Sequence, residues 1–104
     1  MAIYRITKFI ASDMDKAQEI SESMRDVLEG VGADFIDIVS YGDGEGAVVA
    51  KYPSQEVMEA ATETAKQAFG QMIEAGAIDG ASIQVQSGEV LNILLINLQS
   101  APWQ

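Results

Sequence analysis

Histidine and cysteine are both absent from the 104-residue chain. The first absence removes the commonest general base and the commonest metal ligand. The second removes disulfides, thiolate metal sites and cysteine nucleophiles, so neither a Ser-His-Asp nor a Cys-His arrangement can be assembled. Positive charge is scarce as well. Six Lys and Arg stand against 16 Asp and Glu, a formal net charge of −10, and no basic residue follows Lys66. Phosphate neutralisation needs clustered cations, so nucleic acid is not expected as a partner, and the same acidity disfavours anionic membranes. Long apolar runs are missing too. Met1 to Ile10 carries Arg5, Thr7 and Lys8, which does not read as a signal peptide, and the apolar-rich stretch Val90 to Leu98 contains Asn92 and Asn97. That stretch is too short to span a bilayer, and a soluble cytoplasmic protein is expected.

What remains is the composition of one globular domain, residues 1–104, with 48% hydrophobic and 21% charged residues. Ile3 to Ile10 reads as a strand rich in Ile, Tyr, Thr and Phe. Ser12 is placed to cap a helix, and Met14, Ala17, Ile20, Met24, Val27, Leu28 and Val31 follow at helical spacing until Gly30 and Gly32 stop it. Ala33 to Tyr41 and Ala47 to Tyr52 read as strands joined by a turn at Gly42-Asp43-Gly44-Glu45-Gly46. That glycine run lacks the Gly-Lys-Ser/Thr ending of a phosphate loop and is too short for an EF-hand loop. Pro53 ends the third strand, and Ser54 caps a second helix, whose apolar positions Val57 to Ile73 lead to a stop at Gly76. Ala81 to Ser87 reads as a short fourth strand. The order β-α-β-β-α-β predicts an α+β, ferredoxin-like domain: a four-stranded antiparallel sheet with two helices on one face.

Strand parity assigns residues to the two faces of that sheet. Tyr4, Ile6, Ile10, Ile36, Ile38, Val48, Ala50, Ile83 and Val85 fall to the helix-covered face. Ile3, Arg5, Thr7, Phe9, Phe35, Asp37, Val39, Tyr41, Val49, Lys51, Gln84 and Gln86 fall to the other, a patch too apolar to be simply wet. Such a patch marks an interface or a binding groove. In the functional reading Asp37 is a general base held by Arg5 or Lys51, and Tyr41 a proton donor. Arg5, Thr7, Phe9, Phe35, Lys51, Gln84 and Gln86 then contact the ligand. The same charges also read as an ion pair within a subunit interface. The methionines at 14, 24, 58 and 72 lie on helix stripes, where gap-filling in a core is their ordinary role. No metal site and no cofactor are expected.

The pattern of Ile3-Tyr4-Arg5-Ile6, the Ser12-capped helix, the Gly42 to Gly46 hairpin and Val85-Gln86-Ser87-Gly88-Glu89-Val90 resembles the dimeric α/β-barrel superfamily, which includes antibiotic-biosynthesis-monooxygenase-like proteins. The resemblance implies a homodimer whose two sheets pack face to face into a barrel. It also implies pockets inside that barrel or between each sheet and its helices. The histidine used by several of its enzymes is missing here. After Glu89 the tail is apolar on every side, through Val90, Leu91, Ile93, Leu94, Leu95, Ile96 and Leu98, and closes with Pro102 and Trp103. An exposed segment of that kind would aggregate, so the extension over 90–104 is expected at the subunit boundary. Two functions remain open: a homodimer, or higher homo-oligomer, that binds a small apolar ligand without catalysis, and a cofactor-independent monooxygenase or isomerase acting on a small aromatic or polyketide-like substrate.

Overall fold

A computed structural model describes residues 1–95. The elements run β1 (Ile3–Ala11), α1 (Met14–Ser23), α2 (Arg25–Glu29), β2 (Phe35–Gly42), β3 (Glu45–Tyr52), α3 (Gln55–Glu74) and β4 (Ile78–Glu89). The four strands form one antiparallel sheet in the order β2-β3-β1-β4. This is the ferredoxin-like α+β fold. The long helix α3 lies on β1, β3 and β4, and α1 packs against α3.

Local chemistry explains where the elements depart from the sequence reading. The first helix is capped by Asp13, whose carboxylate accepts from the Lys16 N–H at 3.0 Å, not by Ser12. The Ser12 hydroxyl instead donates to the Gly76 carbonyl at 2.6 Å, tying the start of α1 to the end of α3. The expected single helix breaks at Met24. Just before it, the Ser21 and Ser23 hydroxyls donate back to the carbonyls of Gln18 and Ile20, a local bonding that competes with the helical ladder. Ser54 does cap α3, accepting from the Val57 N–H, and Gly76 follows its end with φ +73. β4 is longer than expected because it carries an irregularity in its pairing with β1 between Lys8 and Ile10. Ser82 stitches that point, its hydroxyl accepting from the Ile10 N–H at 2.8 Å. In the β2–β3 turn Asp43 and Gly44 have φ +54 and +81, the positive pair that two-residue hairpins require.

The covered face of β1 is the opposite of the one parity suggested. Ile3, Phe9 and Ala11 are buried, Phe9 packs on Phe69 of α3 at a ring distance of 6.4 Å, and Arg5 reaches Thr62 of the same helix. Tyr4, Ile6, Lys8 and Ile10 therefore face away from the helices. Both parities of β1 are rich in apolar residues, so alternation alone left its register undecided. Packing against β3 decides it. Phe9 pairs with Gly46, where a side chain would meet the Phe9 ring at 2.9 Å. On β2, β3 and β4 the expected faces hold: Ile36, Val48 and Ile83 pack into the core clusters under the helices.

After Glu89 the chain leaves the sheet. The Val90 N–H donates to the Ala2 carbonyl at 2.8 Å, and no strand continues over 90–95. Leu91, Leu94 and Leu95 are 90%, 90% and 85% exposed. The rest of the extension, including Leu98, Pro102 and Trp103, lies outside the described residues. No helix among the described residues is long and apolar enough to cross a membrane.

Candidate functional site

The side chains of α3 that face the sheet are small. Ala61, Ala65 and Ala68 recur at helical spacing, and with Thr64, Phe69 and Met72 they roof a cavity of about 60 Å³. Its floor is the covered face of the sheet: Arg5 and Thr7 from β1, Ile36 and Ile38 from β2, and Val48, Ala50 and Tyr52 from β3. Short side chains over a floor of β-branched ones leave space that longer residues would have filled. Ser21, Leu28, Ile36 and Ile38 also border a wide outer cleft of about 980 Å³ between α1–α2 and β2. The cleft exists because α1 packs on α3 without closing over β2, whose Ile38 stays 39% exposed.

Arg5 is the one charged residue lining the inner cavity among the described residues. Its guanidinium donates through Nη1 to Thr62 Oγ1 at 2.9 Å and through Nη2 to Tyr52 Oη at 3.1 Å. It also lies 5.3 Å from the centre of the Tyr52 ring, a cation–π distance. The Thr62 hydroxyl donates onward to the Met58 carbonyl at 3.2 Å, which fixes its lone pairs toward Arg5. Tyr52 itself is 2% exposed. The outer cleft has a different character, with carboxylates at Asp15, Glu19, Glu22, Glu29, Asp34 and Asp37 and one cation at Arg25. Arg25 is bound to Glu22 by two hydrogen bonds of 2.8 and 2.7 Å across the α1–α2 break. That pairing holds the Glu22 carboxyl below its ordinary range and raises the Arg25 guanidinium.

The residues singled out from the sequence divide between two places. Arg5 and Thr7 line the inner cavity, on the covered face rather than the open one. Phe9, also on the covered face, belongs to the core cluster beside Phe69 and does not line the cavity. Phe35, Asp37, Lys51, Gln84 and Gln86 do share the open face. Strand pairing sets Phe35 beside Lys51 and Tyr4, Asp37 beside Val49 and Ile6, and Gln86 beside Ile6. There Tyr4 and Phe35 meet edge to face at 5.9 Å, with the Lys51 ammonium 5.8 Å from the Tyr4 ring. Asp37 forms no ion pair with Arg5 or Lys51 among the described residues. The sheet separates it from Arg5, and Lys51 turns to Tyr4 instead. Asp37 and Phe35 reach the outer cleft from the edge strand, whereas Tyr41, beyond the β2 irregularity, is 61% exposed and borders neither space. Two residues of the Arg5 environment, Tyr52 and Thr62, were not legible as site residues. The signal for Tyr52 was a polar aromatic at the same parity as Ala50. Among the described residues no cluster of three Asp or Glu side chains is disposed to hold a metal.

The sequence matches no protein-family model and no curated protein. Solved structures do match the architecture. A protein of unknown function from Nitrosomonas europaea superposes with a TM-score of 0.70 at 12% identity, covering 91% of this chain and 94% of its own. SnoaB, a cofactor-independent oxygenase from Streptomyces nogalater, solved as a point mutant, gives 0.68 at 7% identity over 89% and 96%. A dimeric ferredoxin-like protein from an uncultured marine organism gives 0.65 at 14% identity over 92% and 100%. The chain shares their fold. That ferredoxin-like fold is the one the sequence resemblance implied.

Proposed function

We propose that this protein is a cytoplasmic homodimer that binds one small, mainly apolar molecule per subunit beneath α3. The observation that carries the reading is the cavity itself: a mainly apolar chamber with one cation and the hydroxyls of Thr7 and Tyr52 in its floor, and those of Thr64 and Ser21 elsewhere on its walls. Few polar groups in an apolar enclosure are the ordinary make-up of a small-ligand site. Dimerisation uses the other face. Tyr4, Ile6, Phe35, Val39 and Val49 form an apolar surface on the open side of the sheet, and the dimeric marine neighbour supports pairing by a second copy. The tail after Glu89, with its exposed leucines, packs across the boundary in this assembly. Binding is tested by saturating the protein with small apolar alcohols and following backbone amide shifts. Movement at Ala61, Ala65 and Ala68 is expected, and unchanged spectra would sink the reading.

A second reading is favoured by the fold shared with SnoaB, a cofactor-independent oxygenase. Here a hydroxylated aromatic substrate loses a proton to a base, and its electron-rich ring reacts with dioxygen. Loss of water from the resulting hydroperoxide leaves a quinone, so one oxygen atom enters the product and the other leaves as water. Asp37, on the wall of the outer cleft, supplies the base in this reading. An oxygen electrode with polyketide-like hydroxyaromatics decides it. Turnover that disappears in Asp37→Asn supports catalysis, and no oxygen uptake above the uncatalysed rate leaves binding alone.

A further inference from the structure

We infer that the ligand of the inner cavity is a monocarboxylate with a hydrocarbon body, held by Arg5 and Tyr52. This rests on the ligand-binding reading and adds the chemical class. A guanidinium has five N–H donors, and among the described residues Arg5 uses two, on Thr62 and Tyr52. Both partners are neutral, and no Asp or Glu lines the cavity. A partly buried cation without a counter-charge is costly, and the most direct relief is an anion brought by the ligand. Tyr52 points to the same conclusion independently. Its oxygen accepts from Arg5, so its own proton must be given elsewhere, and for a side chain 2% exposed no acceptor is found among the described residues. Two groups in contact therefore present donors and no acceptors to one small space.

A carboxylate answers both, offering two oxygens in the spacing of a guanidinium fork. A neutral alcohol would satisfy the tyrosine and leave the charge. A phosphate brings more charge and more oxygens than the alanine and valine walls can satisfy. Size gives a further limit. One water needs about 10–15 Å³ on this scale, so about 60 Å³ holds a carboxylate and a few carbons. A longer body runs out past Leu28, Ile36 and Ile38, which are apolar and common to both spaces.

The test is calorimetric titration of the full-length protein with hexanoate and with 1-hexanol, a pair that differs chiefly in the head group. Hydrogen bonds to charged groups predict hexanoate binding about 10- to 100-fold more tightly. Arg5→Met should erase that preference. Tyr52→Phe, which keeps the ring and removes only the hydroxyl, should reduce it severalfold. Lys8→Met, on the open face, serves as a control and should retain it. Equal affinity for acid and alcohol in the unmodified protein would overturn the carboxylate assignment and leave the cavity reading standing. Binding of neither would overturn both. A preference for hexanoate that survives in Arg5→Met would place the charge recognition elsewhere.

Discussion

The two faces of the sheet are both rich in apolar side chains and solve different problems. On the covered face, large residues at one end, Phe9 and Ile78, pack tightly, while Ala50, Ala61 and Ala68 toward the middle leave a chamber around Arg5. On the open face Tyr4, Ile6, Phe35 and Val49 stand without a layer above them. The difference is instructive because hydrophobicity alone does not distinguish a core from an interface. What separates them is the handling of charge. Arg5 is enclosed by hydroxyls and a ring inside the chain, whereas Lys51 lies along Tyr4 at a surface that a second copy can cover.

The contrast is broken most forcefully by truncating one aromatic from each face. Phe9→Ala should lower unfolding free energy by about 3–5 kcal/mol, the cost of a large cavity in a packed core, read from urea denaturation. Phe35→Ala, at a residue 37% exposed, should cost the fold far less and weaken the proposed dimer instead. Equal losses would mean that the two faces are energetically alike. Placing a charge on the open face sharpens the point. Ile6→Asp should halve the solution mass of the proposed dimer in light scattering while circular dichroism stays unchanged, because an unpaired carboxylate cannot be buried between two sheets. An unaltered dimer would remove this face from the interface.

Smaller effects test how the helices are held over the cavity. Asp13→Ala removes the cap on α1 and should cost about 1 kcal/mol in the same denaturation experiment. A cost indistinguishable from zero would argue against that cap. Least of all, the exposed Glu22–Arg25 pair contributes above the ordinary carboxylate range and loses its contribution as pH falls through the lowered pKa of Glu22. The stability difference between the native protein and Glu22→Gln should therefore shrink on acidification. A difference that grows instead would contradict the pairing.

Much of this fold is legible in the sequence, and the exceptions have physical causes. Ser54, Gly76 and the Asp43-Gly44 turn announce themselves, because each satisfies a backbone requirement with few alternatives. β1 does not. Its alternate residues are nearly as apolar on one side as on the other, and the choice depends on Phe9 finding Gly46, a residue distant along the chain but adjacent in the sheet. That one reversal moved Arg5, Thr7 and Phe9 from the open face to the covered one. It also explains why residues read as one site are two sets. Ser12 misled for a related reason: its hydroxyl is claimed by the Gly76 carbonyl, a tertiary contact no local pattern records.

The central claim is that the covered face binds and the open face assembles. Amide chemical-shift mapping of the labelled full-length protein titrated with hexanoate tests it most directly. The account predicts shifts at Arg5, Thr7, Ala61, Ala65 and Ala68, with Lys8, Lys51, Gln84 and Gln86 unmoved. Shifts concentrated at Lys51, Gln84 and Gln86, with the α3 alanines silent, would contradict it.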